Sequence, residues 1–149
     1  MLYVCEFEQF IPWRKCRILV VVDENGHCKL QEYLDELAVT RPVEYKKIMS
    51  TLRRVVSRGP RDIHDEGMCK IVGEVGEFKA RNELLRVFWF FADFRYIRSL
   101  RVDTIVLTHI ARPNKGQEQD REIRRAEEMA AQYRRSPFIE YEKRSNHDE

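Results

Sequence analysis

No charge of either sign dominates this chain. Its 27 lysines and arginines face 25 aspartates and glutamates, so bulk charge does not announce a polyanion binder. Cysteine is sparse and scattered: Cys5, Cys16, Cys28 and Cys69 form no C-x-x-C pair and no ligand cluster with His27, His64, His109 and His147. That pattern argues against a metal site and fits reduced thiols, most of them small core residues, in a cytoplasmic protein. No run approaches the ~20 apolar residues of a membrane span. The amino terminus, MLYVCEFEQF, is interrupted by Glu6 and Glu8 and has no basic leader, so it is a poor signal peptide. There is no internal repeat and no low-complexity tract. The expectation is one domain over residues 1–149, large enough to bury roughly two-thirds of its unfolded surface, with a poorly assigned arm at 1–16, whose residues 1–13 read as an extra strand or an arm, and a mobile tail at 137–149.

What is present is charge in one place. Between Gly76 and Gly116 the cations are Lys79, Arg81, Arg86, Arg95, Arg98, Arg101, Arg112 and Lys115, against Glu77, Glu83, Asp93 and Asp103. A groove for polyanions needs such an excess, and a solvated sheet edge would carry it equally well. Glu77, Lys79 and Arg81 alternate with Phe78 and Ala80, which predicts a strand with its cations on one face. Residues 84–91, LLRVFWFF, put Leu85, Val87, Trp89 and Phe91 on one side and Leu84, Arg86, Phe88 and Phe90 on the other, the pattern of a strand covered on both faces. Arg86 is the anomaly there: burying a guanidinium alone costs several kcal/mol, so it either meets a carboxylate or opens to a groove.

Around this stretch the periodicities predict further elements. Residues 17–22, RILVVV, read as a strand stopped by Asp23-Glu24-Asn25-Gly26. Leu30, Tyr33, Leu34 and Leu37 mark a helix ending near Val39. Thr40 and Pro42 open a second, with Tyr45, Ile48, Met49, Leu52, Val55 and Val56 inward and Gly59-Pro60 as its stop. Residues 61–67 read as a polar connection whose His64 is either solvent-exposed or an RNA-facing base, and 68–72 rejoin the sheet. The tongue at 93–103 mixes Arg95, Tyr96, Arg98 and Arg101, as single-stranded RNA readers do, or is a long hairpin with solvated charges. Residues 104–110, TIVLTHI, form the last strand, with Ile105, Leu107 and His109 sharing a face. A helix over 117–135 buries Ile123, Ala126, Ala130 and Tyr133 and leaves its arginines as a solvated face or a nucleic-acid patch.

LQEYLDEL at 30–37, FKAR at 78–81, LLRVFWFF at 84–91, IVLTHI at 105–110 and REIRRAEEMAAQY at 121–133 resemble, in order and spacing, the phage-derived HigB-like toxins of the RelE superfamily. The resemblance covers residues 17–133. It implies an α+β, RelE-like fold: two N-terminal helices packed on a small antiparallel β-sheet, with a C-terminal helix. It also implies the toxin of a type II toxin–antitoxin pair, a ribosome-dependent mRNA endonuclease that uses the ribose 2′-hydroxyl as nucleophile. The partners would be a helix-turn-helix antitoxin and mRNA on the ribosome, with no cofactor and no metal. The family's two strand arginines are matched by Arg81 and Arg86, and its histidine by His109. Arg81 and Arg86 would be phosphate and transition-state ligands and His109 an acid or base. Lys79, Arg112, Lys115, Arg95 and Arg98 would position RNA. The family's lysine run after the histidine is replaced here by residues 111–118, ARPNKGQE. Two alternatives stay open: a RelE-fold poison that binds DNA gyrase without cutting RNA, and a catalytically inactive RNA- or protein-binding derivative.

Overall fold

Two strands whose residues are apolar on both sides lie inside the sheet. β2 (Cys16–Val22) sends Ile18, Val20 and Val22 to one layer of core and Leu19 to the other, and β5 (Arg86–Phe91) divides Val87 and Trp89 from Phe88 and Phe90 in the same way. With β1 (Tyr3–Glu6), β3 (Cys69–Val72), β4 (Val75–Lys79), β6 (Asp103–Ala111) and β7 (Ile139–Glu140), they form a seven-stranded sheet of order β3-β4-β5-β6-β2-β1-β7. β2 runs parallel to β6 and β1 parallel to β7, and the other neighbours are antiparallel. The structure is a computed structural model that describes residues 2–64, 66–80, 82–92, 103–113, 116–135 and 139–140. Arg81, Arg95, Arg98, Lys115, the tongue at 93–102 and the tail from 141 lie outside the described residues.

One face of the sheet is covered by α1 (Lys29–Thr40), α2 (Pro42–Arg58) and the short α3 (Pro60–His64). The other is covered by α4 (Gly116–Arg135), whose Ile123, Ala126, Ala130 and Tyr133 pack on Leu19, Val75, Phe88, Phe90 and Val106. This corrects the expected fold. The two helices are not N-terminal, because β1 and β2 precede them, and the sheet is mixed and seven-stranded rather than small and antiparallel. The difference begins in the arm. Its glutamates mask a strand: Glu6 pairs with Arg17 of β2, while Val4, Phe7 and Phe10 are buried.

Helix ends follow their local chemistry. Thr40, expected to cap α2, closes α1 and donates its hydroxyl to the Glu36 carbonyl (2.9 Å). Pro42 then opens α2, where a missing N–H costs nothing. Gly59 ends it at φ +88°, a region that favours glycine, with its N–H donating to the Val55 carbonyl at 2.7 Å. Pro60 starts α3 instead of a loop, so the expected polar connection holds a helical turn, and His64 Nδ1 lies 2.8 Å from the Cys69 carbonyl. Gly76 faces Trp89 across the β4–β5 ladder. A Cβ there would overlap the indole and come within 2.8 Å of the Lys70 carbonyl, so the strand needs glycine for close approach.

Candidate functional site

The alternation of β4 and β5 brings Lys79 and Arg86 together as cross-strand partners on the α4 face. Lys79 is half-buried and has no ion pair among the described residues. Arg86 is held. Its side chain is 16% exposed, one terminal nitrogen donates to the carbonyls of Glu83 and Leu85, and Nε lies 3.7 Å from Glu77 Oε1. Glu77 is buried and accepts from Gln119 Nε2 of α4 at 2.6 Å. Of the two fates open to Arg86 from its sequence, meeting a carboxylate is the observed one. The pairing is incomplete, because Arg86 Nε and Glu77 Oε2 are both buried without a hydrogen-bond partner. Unsatisfied buried groups of this kind cost about 1–3 kcal/mol each, which lowers the cost of exchanging Glu77 for another anion.

His109 also lies on this face, against expectation. Strict alternation puts it beside Ile105 and Leu107, which belong to the core under α1 and α2. The β5–β6 register shifts between Phe88 and Trp89, so that Phe88 faces His109 while Trp89 faces Leu107. This bulge inserts Thr108 as an extra residue and turns His109 over to stack on Phe88, ring centroids 4.8 Å apart. Nε2 lies 2.6 Å from Glu122 of α4 and Nδ1 lies 2.8 Å from the Thr108 hydroxyl, which is also 3.1 Å from the Phe88 carbonyl. One hydroxyl proton can serve only one of those acceptors. With the imidazole neutral, Nε2–H faces Glu122 at close range without hydrogen-bond alignment, and Thr108 donates to Nδ1. With it protonated, Nδ1–H donates to Thr108 and the hydroxyl turns to Phe88. Burial, and then the nearby Arg125 charge, push the imidazole down to about 4 against the opposing pull of Glu122, so it is neutral at pH 7. Both ring nitrogens are occupied in either state. A substrate proton reaches His109 only if Glu122 or Thr108 moves.

Arg112 points the other way. It lies one residue past Ala111, the cross-strand partner of Arg86, and its guanidinium meets Glu44 of α2 at 2.5 Å, on the opposite side of the sheet. Burial works against its charge, but hydrogen bonds to Glu44 and Tyr33 outweigh that and raise its pKa. Glu44, 7% exposed, also takes Arg41 at 3.3 Å. Arg112 thus joins the end of β6 to α1 and α2 and does not converge with Lys79, Arg86 and His109. The four other expected site residues, Arg81, Arg95, Arg98 and Lys115, lie outside the described residues.

Three partners escaped the sequence reading: Glu77 as the counter-ion of Arg86, and Gln119 and Glu122 of α4. A signal existed, since Gln119 and Glu122 fall at i−4 and i−1 from Ile123, polar residues on the edge of an apolar stripe. Also missed was the basic outer face of α2. Among the described residues no three His, Cys, Asp or Glu side chains gather as metal ligands, and no helix is long and apolar enough to cross a membrane. Against models of protein families and against curated proteins the sequence finds no match.

Proposed function

We propose that the chain is an RNA-directed toxin of the HigB-like kind, acting in the cytoplasm through the face of β4, β5 and β6 beside α4 and held in check by a small helix-turn-helix antitoxin. The observation that carries this reading is the convergence of Lys79, Arg86 and His109 on one sheet face, Arg86 and His109 being at positions that match the resemblance. RNA carries its own nucleophile, so the protein's task is to align the 2′-hydroxyl with the phosphate and stabilise charge on the phosphoryl oxygens and the departing 5′-oxygen. Lys79 is placed to take a phosphate directly. Arg86 presents its fork once the phosphate displaces Glu77, and Gln119 holds that carboxylate as it lets go. His109, stacked on Phe88, bonded to Thr108 and in close contact with Glu122, acts as a positioning residue that fixes β6 to α4.

A second reading is favoured by the same pairings. Arg86 and His109 each face a carboxylate, so a protein that arrests growth by binding, without cutting, fits the geometry as well. Expression from an inducible promoter, with growth and transcript integrity followed together, separates the two. Growth arrest with cut transcripts supports the nuclease. Arrest with intact transcripts supports the binding poison. Unimpaired growth overturns the toxin reading.

A further inference from the structure

Between Lys46 and Arg58, α2 reads KKIMSTLRRVVSR and contains no carboxylate. Its apolar residues are buried, which leaves Lys46, Lys47, Arg53, Arg54 and Arg58 exposed with Ser50 and Ser57 among them. Helical spacing puts Lys46, Ser50, Arg53 and Ser57 in one row and Lys47, Arg54 and Arg58 beside it, the whole running about 18 Å along the axis. A cavity of about 620 Å³ opens along this face, bounded on the helix side by Lys46, Lys47, Ser50 and Arg54 and across from them by Ala80 and Asn82. Its base is closed by the buried Thr51, whose hydroxyl lies 3.3 Å from the carbonyls of both Lys47 and Lys79 and can donate to one at a time.

The carboxylates at the rim do not cancel this charge. Glu83 pairs with Lys47 at 3.0 Å, Glu66 reaches Arg58 and lies 3.8 Å from Arg54, and Asp62 meets Arg58 at 2.6 Å. Lys46 and Arg53 have no ion pair among the described residues. The pairs that do form are exposed ones, each contributing at most about 1 kcal/mol, so a phosphate can replace the carboxylate at small cost. An acidic helix lying here would want apolar anchors at i, i+3, i+4 and i+7. The groove offers one such residue, the exposed Val43, since its other apolar lining, Met68 and Ala80, is buried; from Lys46 to Arg58 the exposed face of α2 carries only cations and hydroxyls. Donors repeating along a groove match a polymer that presents acceptors at every unit.

We infer that the α2 groove binds the phosphodiester backbone of RNA, at a site separate from the α4 face because α2 and α4 cover opposite sides of the sheet. The choice of RNA over DNA rests on the function proposed above, but binding is read without cleavage, so the two can fail separately. The test is fluorescence anisotropy of a labelled 20-nucleotide single-stranded RNA across a salt series. The parent is compared with the double variant Lys46→Ala, Arg53→Ala, in which Lys46 lines the cavity and Arg53 extends the same helical row beyond it; both are exposed and without an ion pair among the described residues, and folding is checked by thermal melting. Loss of two phosphate contacts flattens the slope of log K against log salt by about 1.4 and weakens binding on the order of tenfold near 0.1 M salt. Equal slopes and affinities overturn the inference, as does a parent that binds no RNA. Polyglutamate bound through Lys46 and Arg53 in preference to RNA assigns the groove to an acidic protein and overturns it too.

Discussion

At the scale of single residues, His109 and Arg112 each make a testable demand. His109 in the fold titrates near 4, below its ordinary value of 6.5. Between those values the unfolded chain binds a proton that the folded chain does not, so stability rises with pH across the window and falls as pH is lowered from about 6.5 to about 4. His109→Asn removes this contribution. In urea unfolding the parent's advantage over the variant should shrink on going from pH 7 to pH 4, by on the order of 2 to 3 kcal/mol. An advantage independent of pH would show that folding does not shift the imidazole's pKa. Arg112 makes the second demand. Arg112→Ala leaves Glu44 buried with Arg41 as its remaining partner, which should cost about 2 kcal/mol of stability and leave the salt slope of RNA binding unchanged. Unaltered stability with a flatter slope would return Arg112 to the role of RNA contact.

Among the elements, the β4–β5 ladder packs an indole directly against backbone. Trp89 stacks on Phe78 at 4.9 Å and meets Phe91 edge-on at 4.8 Å, with Gly76 beneath the indole. Gly76→Ala should therefore destabilise by about 1–3 kcal/mol, the scale of overpacking, seen as a lower melting temperature and a changed near-ultraviolet spectrum of Trp89. An unchanged melting temperature would mean that the indole has room to move. Much of this layer was legible from residue patterns: the two-faced run of β5, the stripes of α1, α2 and α4, and the need of Arg86 for a partner all follow from period and desolvation alone. The failures have equally local causes. Alternation counts residues, and the bulge at Thr108 adds one, so His109 was read onto the wrong face. Gly59-Pro60 reads as a stop, yet proline is also at home in the first turn of a helix, and α3 begins there. β1 was open from sequence as a strand or an arm, because Glu6 breaks its apolar pattern and its partner Arg17 shows only in the fold. The destination of Arg112 depended on a buried glutamate in α2 that no period reveals.

For the whole molecule, one sheet separates two basic regions. On the α4 side, Lys79 stands beside an Arg86 restrained by Glu77; on the α2 side, a row of exposed lysines and arginines lines a groove. Near-zero net charge thus hides two local excesses, which is why the total of cations and anions said little about binding. The central claim is that the α4 face acts on RNA through Arg86, and single-turnover cleavage of ribosome-bound mRNA by the purified parent and by Arg86→Lys tests it most directly. Lysine keeps the charge but loses the planar fork. A folded Arg86→Lys protein, matched to the parent by melting temperature, should cut about 10²-fold more slowly or worse while retaining much of its RNA affinity. Equal cutting by the folded variant, or a parent that leaves the message whole, contradicts the claim.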